Sequence, residues 1–577
     1  MKKTGAWLFR NALEALGVRH TFGIPGVHTT EIYDQLNQSN QIRPMLVTHE
    51  CGAAFMADAV SRTSDQIGVL VVVPAAGLTH AMSGIGEAFL DGIAMLVVSG
   101  GVRSDTDHKY QLHDMDMQAL MRPLTKKTFK IDNHAQVMPT IFEAYQCAMT
   151  GEPGPVYVEF PVNIQFTKGQ VAELPEPQPL ILCQNPLPEE DIQAAAELLL
   201  NAAQPGIFLG WGAMKARPDT VRIAECLSAP VATSLQGLAS FPHDHPLHTG
   251  MGYGIAAVPA AQAAFENCDV ILAVGVRFGE IATGSFSLPD SSKIIHVDIN
   301  PAALGANYSA EIMIEADAAT ALAALENVLS QSEKRSDRNN IAPMIAARKT
   351  DYQAEWLAHD SDDKVNPGVF FDRLDKALDD QAIILADDGN HTFLCAELMP
   401  ISGRRQFISP TDFNCMGYCV PAAIAAKLEN RTKQVVGIVG DGAFLMTGME
   451  ILTAASDNLG VIYCVFADGE LSQIAQAQQA PYNRKTCTIL PALKYAPFAE
   501  SVGAAYIRIS SNGEVENGLS RAINLSEKGQ PVLVEVTIDY SKKTRFTNGA
   551  LKANLDRLDF ATKMRFIGRA ITRKVTG

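Results

Sequence analysis

Three features are scarce in this sequence of 577 residues: basic charge, long apolar runs and closely spaced cysteines. Lys and Arg number 47 against 63 Asp and Glu, which gives a formal net charge of −16. Because nucleic-acid phosphates need a basic face, we expect no nucleic-acid partner. The longest apolar run, residues 67–78, is broken by Pro74 and Gly77. It is shorter than the roughly 20 residues that cross a bilayer, so we expect no membrane partner.

The cysteines and the first residues of the chain bear on its compartment. None of the ten cysteines forms a Cys-x-x-Cys pair, and the closest two are Cys415 and Cys419. This usage is typical of reduced, partly buried thiols. Arg10 and Glu14 interrupt what would be the apolar part of a signal peptide. Together these patterns predict a cytoplasmic protein.

What is present is a globular composition with strongly apolar segments. Apolar residues make up 47% and charged residues 19%, and at about 150 residues per domain the length allows three to four domains. Runs that are apolar throughout are typical of strands covered on both faces of a parallel sheet. Such runs fall into three clusters, at 68–73, 95–99 and 156–160, at 206–209, 270–274 and 293–298, and at 382–386, 435–439 and 461–466.

Two connecting segments separate these clusters. Five prolines between residues 175 and 188 mark the first, and a charged stretch at 331–364, expected to carry some helix, marks the second. The basic tail after Lys552 is predicted to be helical. The sequence therefore predicts an α/β fold with three doubly wound parallel-sheet domains, at residues 1–170, 188–330 and 365–577.

The most informative local motif is Gly440-Asp441-Gly442, which directly follows a predicted strand. Such a turn lets backbone amides approach a phosphate, and Asp441 offers a hard oxygen ligand for Mg²⁺. Asp468 follows the next strand, so two carboxylates are expected at neighbouring strand ends, with a backbone carbonyl near Glu470 completing the metal ligands. The tripeptide alone is also compatible with a plain strand–helix turn.

The spacing from Asp441 to Asp468 resembles the motif of thiamine-diphosphate (ThDP) enzymes, in which Asn usually stands at the second position. Further segments that resemble this family in order and spacing lie at 22–26, 48–58, 151–161 and 412–427. The resemblance covers nearly the whole chain and is strongest for the acetolactate synthase-like branch. It implies that the three predicted domains bind the pyrimidine, space the molecule, and bind the diphosphate with Mg²⁺, respectively.

The resemblance also implies roles for single residues. Glu50 would be the catalytic carboxyl at the pyrimidine ring, and Met416 the apolar support beneath the bent cofactor. Asp441, Asp468 and the carbonyl near Glu470 would hold the metal. The remaining implied cofactor contacts are Gly26, Gly77, His113, Gly389, Asn390, His391, Gly440, Gly442 and Ala443.

On the substrate side, the resemblance implies a pocket lined by His28, His113, Gln473 and Gln476. A lone histidine is also often structural, so that role stays open for His28 and His113. His80 stands where the family's Gly-Ala-Thr-Asn segment has its Asn.

The implied reaction is ThDP- and Mg²⁺-dependent decarboxylation of a 2-oxo acid, pyruvate by default, with transfer of the acyl-anion equivalent to an acceptor carbonyl. The alternative is a non-ligating 2-oxo acid decarboxylase of the guanidino-oxopentanoate type, which residues 23–29 and 112–114 also resemble. Central domains of this branch often hold FAD, so the resemblance makes FAD a candidate cofactor of the middle domain. Glu280 and Ile281, however, depart from the Asp-Arg of many FAD-binding members.

The positions of the implied site residues bear on the assembly of the protein. Glu50 and the metal pair belong to different domains, so we expect a homodimer or homotetramer with inter-subunit active sites.

Two other classes of protein compete with this interpretation. A dinucleotide-dependent oxidoreductase would need Gly-x-Gly-x-x-Gly, and residues 210–212 lack the third Gly. An inactive regulatory subunit would most simply lose the activating carboxyl, whereas Glu50 is present.

Overall fold

Three six-stranded sheets form the frame of the protein in a computed structural model, which describes residues 1–183, 185–332 and 340–576. The strands of each sheet pair in parallel. Helices alternate with the strands along the chain. The predicted α/β fold with three doubly wound parallel sheets is confirmed.

The first sheet has the strand order β3-β2-β4-β5-β7-β6. Its central strands β4 and β5 are buried at every position, as their apolar sequences require. An antiparallel pair, β1 with β8, joins the two ends of this unit. Its elements are β1 (Lys2–Thr4), α1 (Gly5–Ala15), β2 (His20–Gly23), α2 (Thr30–Asn37), β3 (Arg43–Leu46), α3 (Glu50–Thr63), β4 (Gly68–Val72), α4 (Ala76–Asp91), β5 (Met95–Gly101), α5 (Met117–Met121), β6 (Thr128–Lys130), α6 (Val137–Met149), β7 (Pro155–Pro161), α7 (Val162–Phe166) and β8 (Lys168–Gln170).

The middle sheet has the order β11-β10-β9-β12-β13-β14, the order found in dinucleotide-binding folds. Its elements are α8 (Glu189–Asn201), β9 (Pro205–Leu209), α9 (Arg217–Leu227), β10 (Val231–Thr233), β11 (His248–Met251), α10 (Pro259–Phe265), β12 (Val270–Val274), β13 (Lys293–Asp298), β14 (Ile312–Glu315) and α11 (Ala318–Ser330). The helix predicted in the second connecting segment is α12 (Ile341–Leu357), and residues 333–339 of that segment lie outside the described residues.

The third sheet has the order β16-β15-β17-β18-β20-β19, which repeats the connectivity of the first. Its elements are α13 (Pro367–Ala377), β15 (Ile383–Ala386), α14 (Asn390–Leu398), β16 (Gln406–Ile408), α15 (Cys419–Glu429), β17 (Val435–Gly440), α16 (Asp441–Thr447), α17 (Ile451–Ser456), β18 (Ile462–Phe466), α18 (Ser472–Tyr482), α19 (Tyr495–Ser501), β19 (Ala505–Ile509), α20 (Val515–Ser526), β20 (Val532–Val536), α21 (Arg545–Arg557) and α22 (Phe560–Thr576). The basic tail is thus helical, as predicted.

The sequence prediction missed the sheet edges and the start of one helix. Edge strands such as β3, β6 and β19 contain exposed and half-buried residues, so they lack the continuous apolar run by which the central strands were predicted. The start of α4 at Ala76 was not predicted, because Ala75 adopts a positive φ of 51° that turns the chain directly from β4 into α4.

The first and third units share one apolar core. Helix α3 packs against α4 and, across the boundary between the units, against α15. Phe55 of α3 meets Tyr418 edge to face, with ring centroids 5.3 Å apart. Both side chains are fully buried. The two units are therefore joined as the interior of a single domain would be.

A buried cluster around Arg62 lies in this shared core. Its guanidinium, 1% exposed, donates from Nε to Asp58 Oδ1 at 2.7 Å and from Nη2 to Asp91 Oδ2 at 2.9 Å. The third unit contributes the Tyr418 hydroxyl, which donates to Asp58. Trp211 of the middle unit lies with its ring centroid 5.7 Å from the guanidinium carbon. All three units meet at this one cation.

The carboxylates of the cluster also bind the main chain of the third unit. Asp91 accepts from the amide of Asp412 at 2.9 Å, and Glu87 accepts from the amide of Cys415 at 3.1 Å. Burial raises the pKa of Glu87 well above its ordinary value, and the adjacent Asp91 carboxylate raises it further. Glu87 therefore favours its neutral form more than an exposed carboxyl does, which reduces the negative charge facing Arg62.

Further side-chain contacts connect the three units. Glu450 of the third unit accepts from the amide of Thr48 at 2.9 Å and from its hydroxyl at 2.6 Å. Arg277 of the middle unit pairs with Glu152 of the first unit at 2.9 Å and with Asp412 of the third at 2.5 Å. Each of these bonds joins groups that are far apart in sequence, so the relative placement of the units is fixed by side chains.

Two further sequence expectations can be compared with the structure. Each of the ten cysteines carries a thiol and not a disulfide. In the part of the chain that is described, no helix combines the length and the apolar character needed to span a bilayer.

Replacing Arg62 tests the importance of the buried cluster. We expect Arg62→Met to destabilise the protein by about 3–5 kcal/mol, because buried carboxylates are left without their cation. Urea unfolding followed by circular dichroism measures the change. The control is Arg103→Met, which breaks the exposed Arg103–Asp105 pair and should leave the unfolding midpoint unchanged. Equal midpoints for wild type and Arg62→Met would contradict this interpretation.

Candidate active site

Asp441 and Asp468 stand at the carboxyl ends of the neighbouring strands β17 and β18. Asp441 Oδ1 accepts from the amide of Gly442 at 2.9 Å. Its Oδ2 accepts from the amide of Gly469 at 2.7 Å and from that of Asp468 at 3.2 Å. The hydroxyl of Ser472 donates to Asp468. The structure therefore brings the two predicted carboxylates together at one end of the sheet.

These two carboxylates have no basic partner. Among the described residues, no Lys, Arg or His forms an ion pair with either of them, and the nearby Lys485 pairs with Glu470 instead. Burial raises the pKa of Asp441, and it raises that of Asp468 to about 6. One buried and one half-buried carboxylate, with hard oxygen donors and no cation among the described residues, are suited to a divalent metal ion. The Glu470 carboxylate is bound to Lys485, so the backbone carbonyl stays the predicted ligand at this position.

The turn after β15 lies beside this pair. Gly389 has a φ of 146°, and a Cβ there would lie 2.7 Å from the His391 ring, so the close approach requires glycine. His391 Nε2 accepts from the amide of Gly440 at 3.3 Å. Burial lowers the pKa of His391 to about 3, which keeps the ring neutral. His391 thus fixes the Gly440 turn, and Asn390 begins α14 next to it.

Met416 lies on the other side of the same turn. Its Cε is 3.4 Å from the position that a Cβ on Gly442 would take. Asp387, at the end of β15, accepts from the amides of Gly417 at 2.9 Å and Cys419 at 2.8 Å and so holds this loop. Ala443 is buried in the core beneath. The third unit therefore collects the predicted residues at 389–391, 416, 440–443 and 468 into one half-site.

A second half-site surrounds Glu50, the first residue of α3. Its side chain is 10% exposed, and its Oε2 lies 3.0 Å from His80 Nδ1. Its Oε1 lies 3.2 Å from where a Cβ on Gly77 would stand. Gly26 is equally constrained, since a Cβ there would be 2.5 Å from Val73. Both predicted glycines therefore leave space that any side chain would fill.

His28 and His113 also come together, in a T-shaped pair with ring centroids 5.2 Å apart. His28 is buried, and its Nδ1 has no hydrogen-bond partner. Burial lowers its pKa, and His113 lowers it further. His113 has a positive φ of 65°, which is uncommon outside glycine. This pair is the feature of the first unit that is best suited to meet a polar substrate.

The two predicted glutamines lie on α18. Gln476 donates from Nε2 to the carbonyl of Tyr540 at 3.0 Å, so its amide is already bound within the third unit. Gln473 is half-buried near the start of this helix. The sequence interpretation did not identify the contact of His80 with Glu50 or that of Glu450 with Thr48, because no motif indicates pairs on separate elements of the fold.

The half-sites do not join each other within one chain. Among the described residues, no hydrogen bond or ion pair connects the Glu50 group with the Asp441 group. Large apolar side chains are exposed along both. On the metal side these are Leu445, Met446, Met449 and Leu452, and in the first unit they are Val27, Leu46, Leu112 and Met115.

Comparison with known proteins identifies the class. Three family models match in succession: the N-terminal TPP-binding domain of thiamine pyrophosphate enzymes at residues 3–120, their central domain at 192–325 and their C-terminal TPP-binding domain at 387–536. The protein is therefore an enzyme that uses thiamine diphosphate.

Relatives along the full chain identify the branch. A probable acetolactate synthase large subunit of Methanocaldococcus jannaschii is 31% identical, over 93% of this chain and 92% of that protein. The acetolactate synthase large subunit of Corynebacterium glutamicum is 29% identical, over 93% and 87%, and the isozyme 3 large subunit of Escherichia coli is 29% identical, over 93% and 95%. The chain belongs to the thiamine pyrophosphate enzymes, in their acetolactate synthase branch.

Substituting Gly77 tests the geometry at Glu50. We expect Gly77→Ala to weaken ThDP binding about tenfold, or 1.4 kcal/mol, because the new methyl group presses on Glu50 Oε1 and on Val73. Fluorescence titration of the apoprotein with ThDP gives the dissociation constant. Gly513→Ala is the matched control, since a Cβ there meets no atom within 4 Å. The same ThDP affinity in both variants would contradict this account.

Proposed function

We propose that this enzyme decarboxylates a 2-oxo acid, pyruvate by default, and transfers the acyl-anion equivalent to an acceptor carbonyl in a ThDP- and Mg²⁺-dependent reaction. The observation that carries the proposal is the pair of half-sites: one buried carboxyl beside two constrained glycines, and two carboxylates without a cationic partner among the residues described. The names of the relatives, acetolactate synthase large subunits, support carboligation as the outcome.

The third unit is suited to hold the diphosphate with its metal ion. Asp441, Asp468 and the carbonyl of Glu470 would bind Mg²⁺, as hard oxygen ligands do. The amide of Ala443 and the backbone at Gly440 and Gly442, with the segment 389–391, would line the space for the phosphate groups. Met416 would support the middle of the cofactor. Because Asp468 replaces an amide ligand by a carboxylate, this metal site carries one more negative charge than the usual family site.

The first unit is suited to hold the pyrimidine and the substrate. When bound, ThDP supplies a carbon nucleophile that attacks the 2-oxo acid and stores the electrons left by CO₂. Glu50 would hold and release a proton beside the pyrimidine, in the space that Gly26 and Gly77 leave open. His28 and His113, with Gln473 from the third unit, would orient the substrate carbonyl groups. Gln476 would line the same pocket.

We further propose that the active sites form between subunits of a homodimer or homotetramer. Each chain carries both half-sites without joining them, and exposed apolar side chains flank each half-site. Burying such surfaces against a second copy would bring one chain's Glu50 to the other chain's metal ligands. A cytoplasmic location and a flavin in the central unit stay predictions; the visible absorbance of the purified protein tests the flavin.

The proposed reaction is tested with pyruvate, ThDP and Mg²⁺. We expect CO₂ release together with a ligated hydroxy-oxo acid, identified by mass spectrometry across a panel of aldehyde and ketone acceptors. Glu50→Gln should lower the rate by at least about a hundredfold, as loss of a general acid–base group does. Release of a simple aldehyde as the sole product would favour the non-ligating alternative. Failure to release CO₂ from any 2-oxo acid would refute both.

Mixing two inactive variants tests the shared sites. Glu50→Gln and Asp468→Ala should each be nearly inactive alone, because each removes one half-site. After unfolding and joint refolding, mixed dimers should regain about a quarter of the wild-type activity, since one of two sites is intact in the half of the dimers that are mixed. Glu50→Gln refolded with itself is the control. If each site lay within one chain, mixing would restore nothing.

A further inference from the structure

We propose that His80 is a proton relay that connects the buried carboxyl of Glu50 with water. This inference rests on the proposed function of Glu50 and adds a second residue to it. The observation behind it is the contact of His80 Nδ1 with Glu50 Oε2, at 3.0 Å. The two residues lie on different helices, α4 and α3, so the contact is a product of the fold.

The two oxygens of Glu50 face different surroundings. Oε1 points to the space above Gly77, where the cofactor ring is proposed to lie, and Oε2 points to His80. A carboxyl group can accept a proton at one oxygen and release it from the other. The arrangement therefore leaves the cofactor side of Glu50 open while a base contacts the opposite side.

Exposure gives the relay its direction. The Glu50 side chain is 10% exposed, whereas the His80 side chain is 53% exposed. The imidazole thus extends from a buried carboxyl to the open edge of the half-site. A histidine is the side chain whose ordinary pKa suits proton exchange near neutral pH.

The ring of His80 is held in place by a second histidine. His49 stacks on it with ring centroids 4.8 Å apart and an interplanar angle of 25°. His49 Nδ1 accepts from the amide of Cys51 at 3.1 Å and so caps α3. Because its Nδ1 is an acceptor, His49 carries its proton on Nε2 and serves as a fixed platform.

Other ionisable groups near Glu50 are engaged elsewhere. The Tyr33 hydroxyl donates to the carbonyl of Val71 at 2.8 Å, and burial raises its pKa, an effect that the charge of Glu50 increases. Burial raises the pKa of Cys51 to about 11. In the described part of the chain, no side chain except that of His80 forms a hydrogen bond or ion pair with Glu50.

The proton transfers balance without another reactant. Glu50 in its acid form passes a proton from Oε2 to Nδ1 of His80, which gives a carboxylate and an imidazolium. The imidazolium then releases a proton from Nε2 to water. The reverse sequence returns a proton to Glu50. An Asn at this position, as in the family segment that residues 77–80 resemble, could donate a hydrogen bond to Oε2 but could not carry a proton.

The difference between hydrogen bonding and proton transfer defines the test. In the holoenzyme, deuterium exchange at C2 of ThDP is followed by rapid quenching and proton NMR. We expect His80→Asn to slow this exchange at least about tenfold, while the ThDP dissociation constant stays within a factor of about three because the hydrogen bond persists. His108→Asn removes an exposed histidine elsewhere and should leave the exchange at the wild-type rate.

Chemical rescue separates a relay from a structural role. Added imidazole should accelerate exchange in His80→Ala and leave the wild type unaffected, because free imidazole can replace the missing ring. Wild-type exchange in His80→Asn, or no response of His80→Ala to imidazole, would overturn the proposal.

A measurement on the apoprotein distinguishes this failure from failure of the proposed function. In histidine-selective ¹⁵N NMR, with His80→Asn to assign the resonance, Glu50→Gln should shift the Nδ1 resonance of His80, because the group in contact with that nitrogen changes. An unchanged resonance would overturn the contact itself. Absence of CO₂ release by the wild type would instead refute the reaction under "Proposed function".

Discussion

The structure depends on one buried cation. Arg62 is removed from water, and a charge in that position must be paired or the fold loses several kcal/mol. Its carboxylate partners come from two helices of the first unit, and one of them also accepts from a hydroxyl of the third unit. Separating the units would break the bonds that Asp58, Asp91 and Glu87 make with the third unit and would remove the Trp211 ring from the guanidinium. The buried cluster therefore contributes to the relative placement of the three sheets.

That constraint also decides where the chemistry can take place. The surface of α3 that packs against α15 is buried as apolar core. Glu50 and Asp441, which follow the carboxyl ends of their strands, must therefore face away from this contact. The first and third sheets have the same strand order, and in both the functional turns lie where that order reverses direction. Two similar units thus present their functional turns at corresponding sheet positions, and Arg277 and Trp211 connect the middle unit to them.

Much of this could be predicted from sequence, for reasons that particular residues make clear. Continuous apolar runs such as β4 and β17 report burial on both faces, and Gly440-Asp441-Gly442 is a local signal of a turn that can approach a phosphate. The pairing of His80 with Glu50 could not be predicted, since it depends on how two helices pack. The same is true of Arg62, whose partners are distant in sequence. The turn at Ala75 could not be predicted, because the amino-acid composition does not indicate a positive φ at a residue other than glycine.

The bond between Glu450 and Thr48 has a consequence for communication between sites. The helical stretch that starts at Asp441 runs on to Glu450, and Glu450 holds the loop two residues before Glu50. In the proposed dimer, Asp441 belongs to one active centre and the Glu50 of the same chain to the other. Metal binding at the first centre would then act, through this helical stretch and its bond to Thr48, on the Glu50 carboxyl of the second centre. Occupancy of one centre would therefore change the activity of the other.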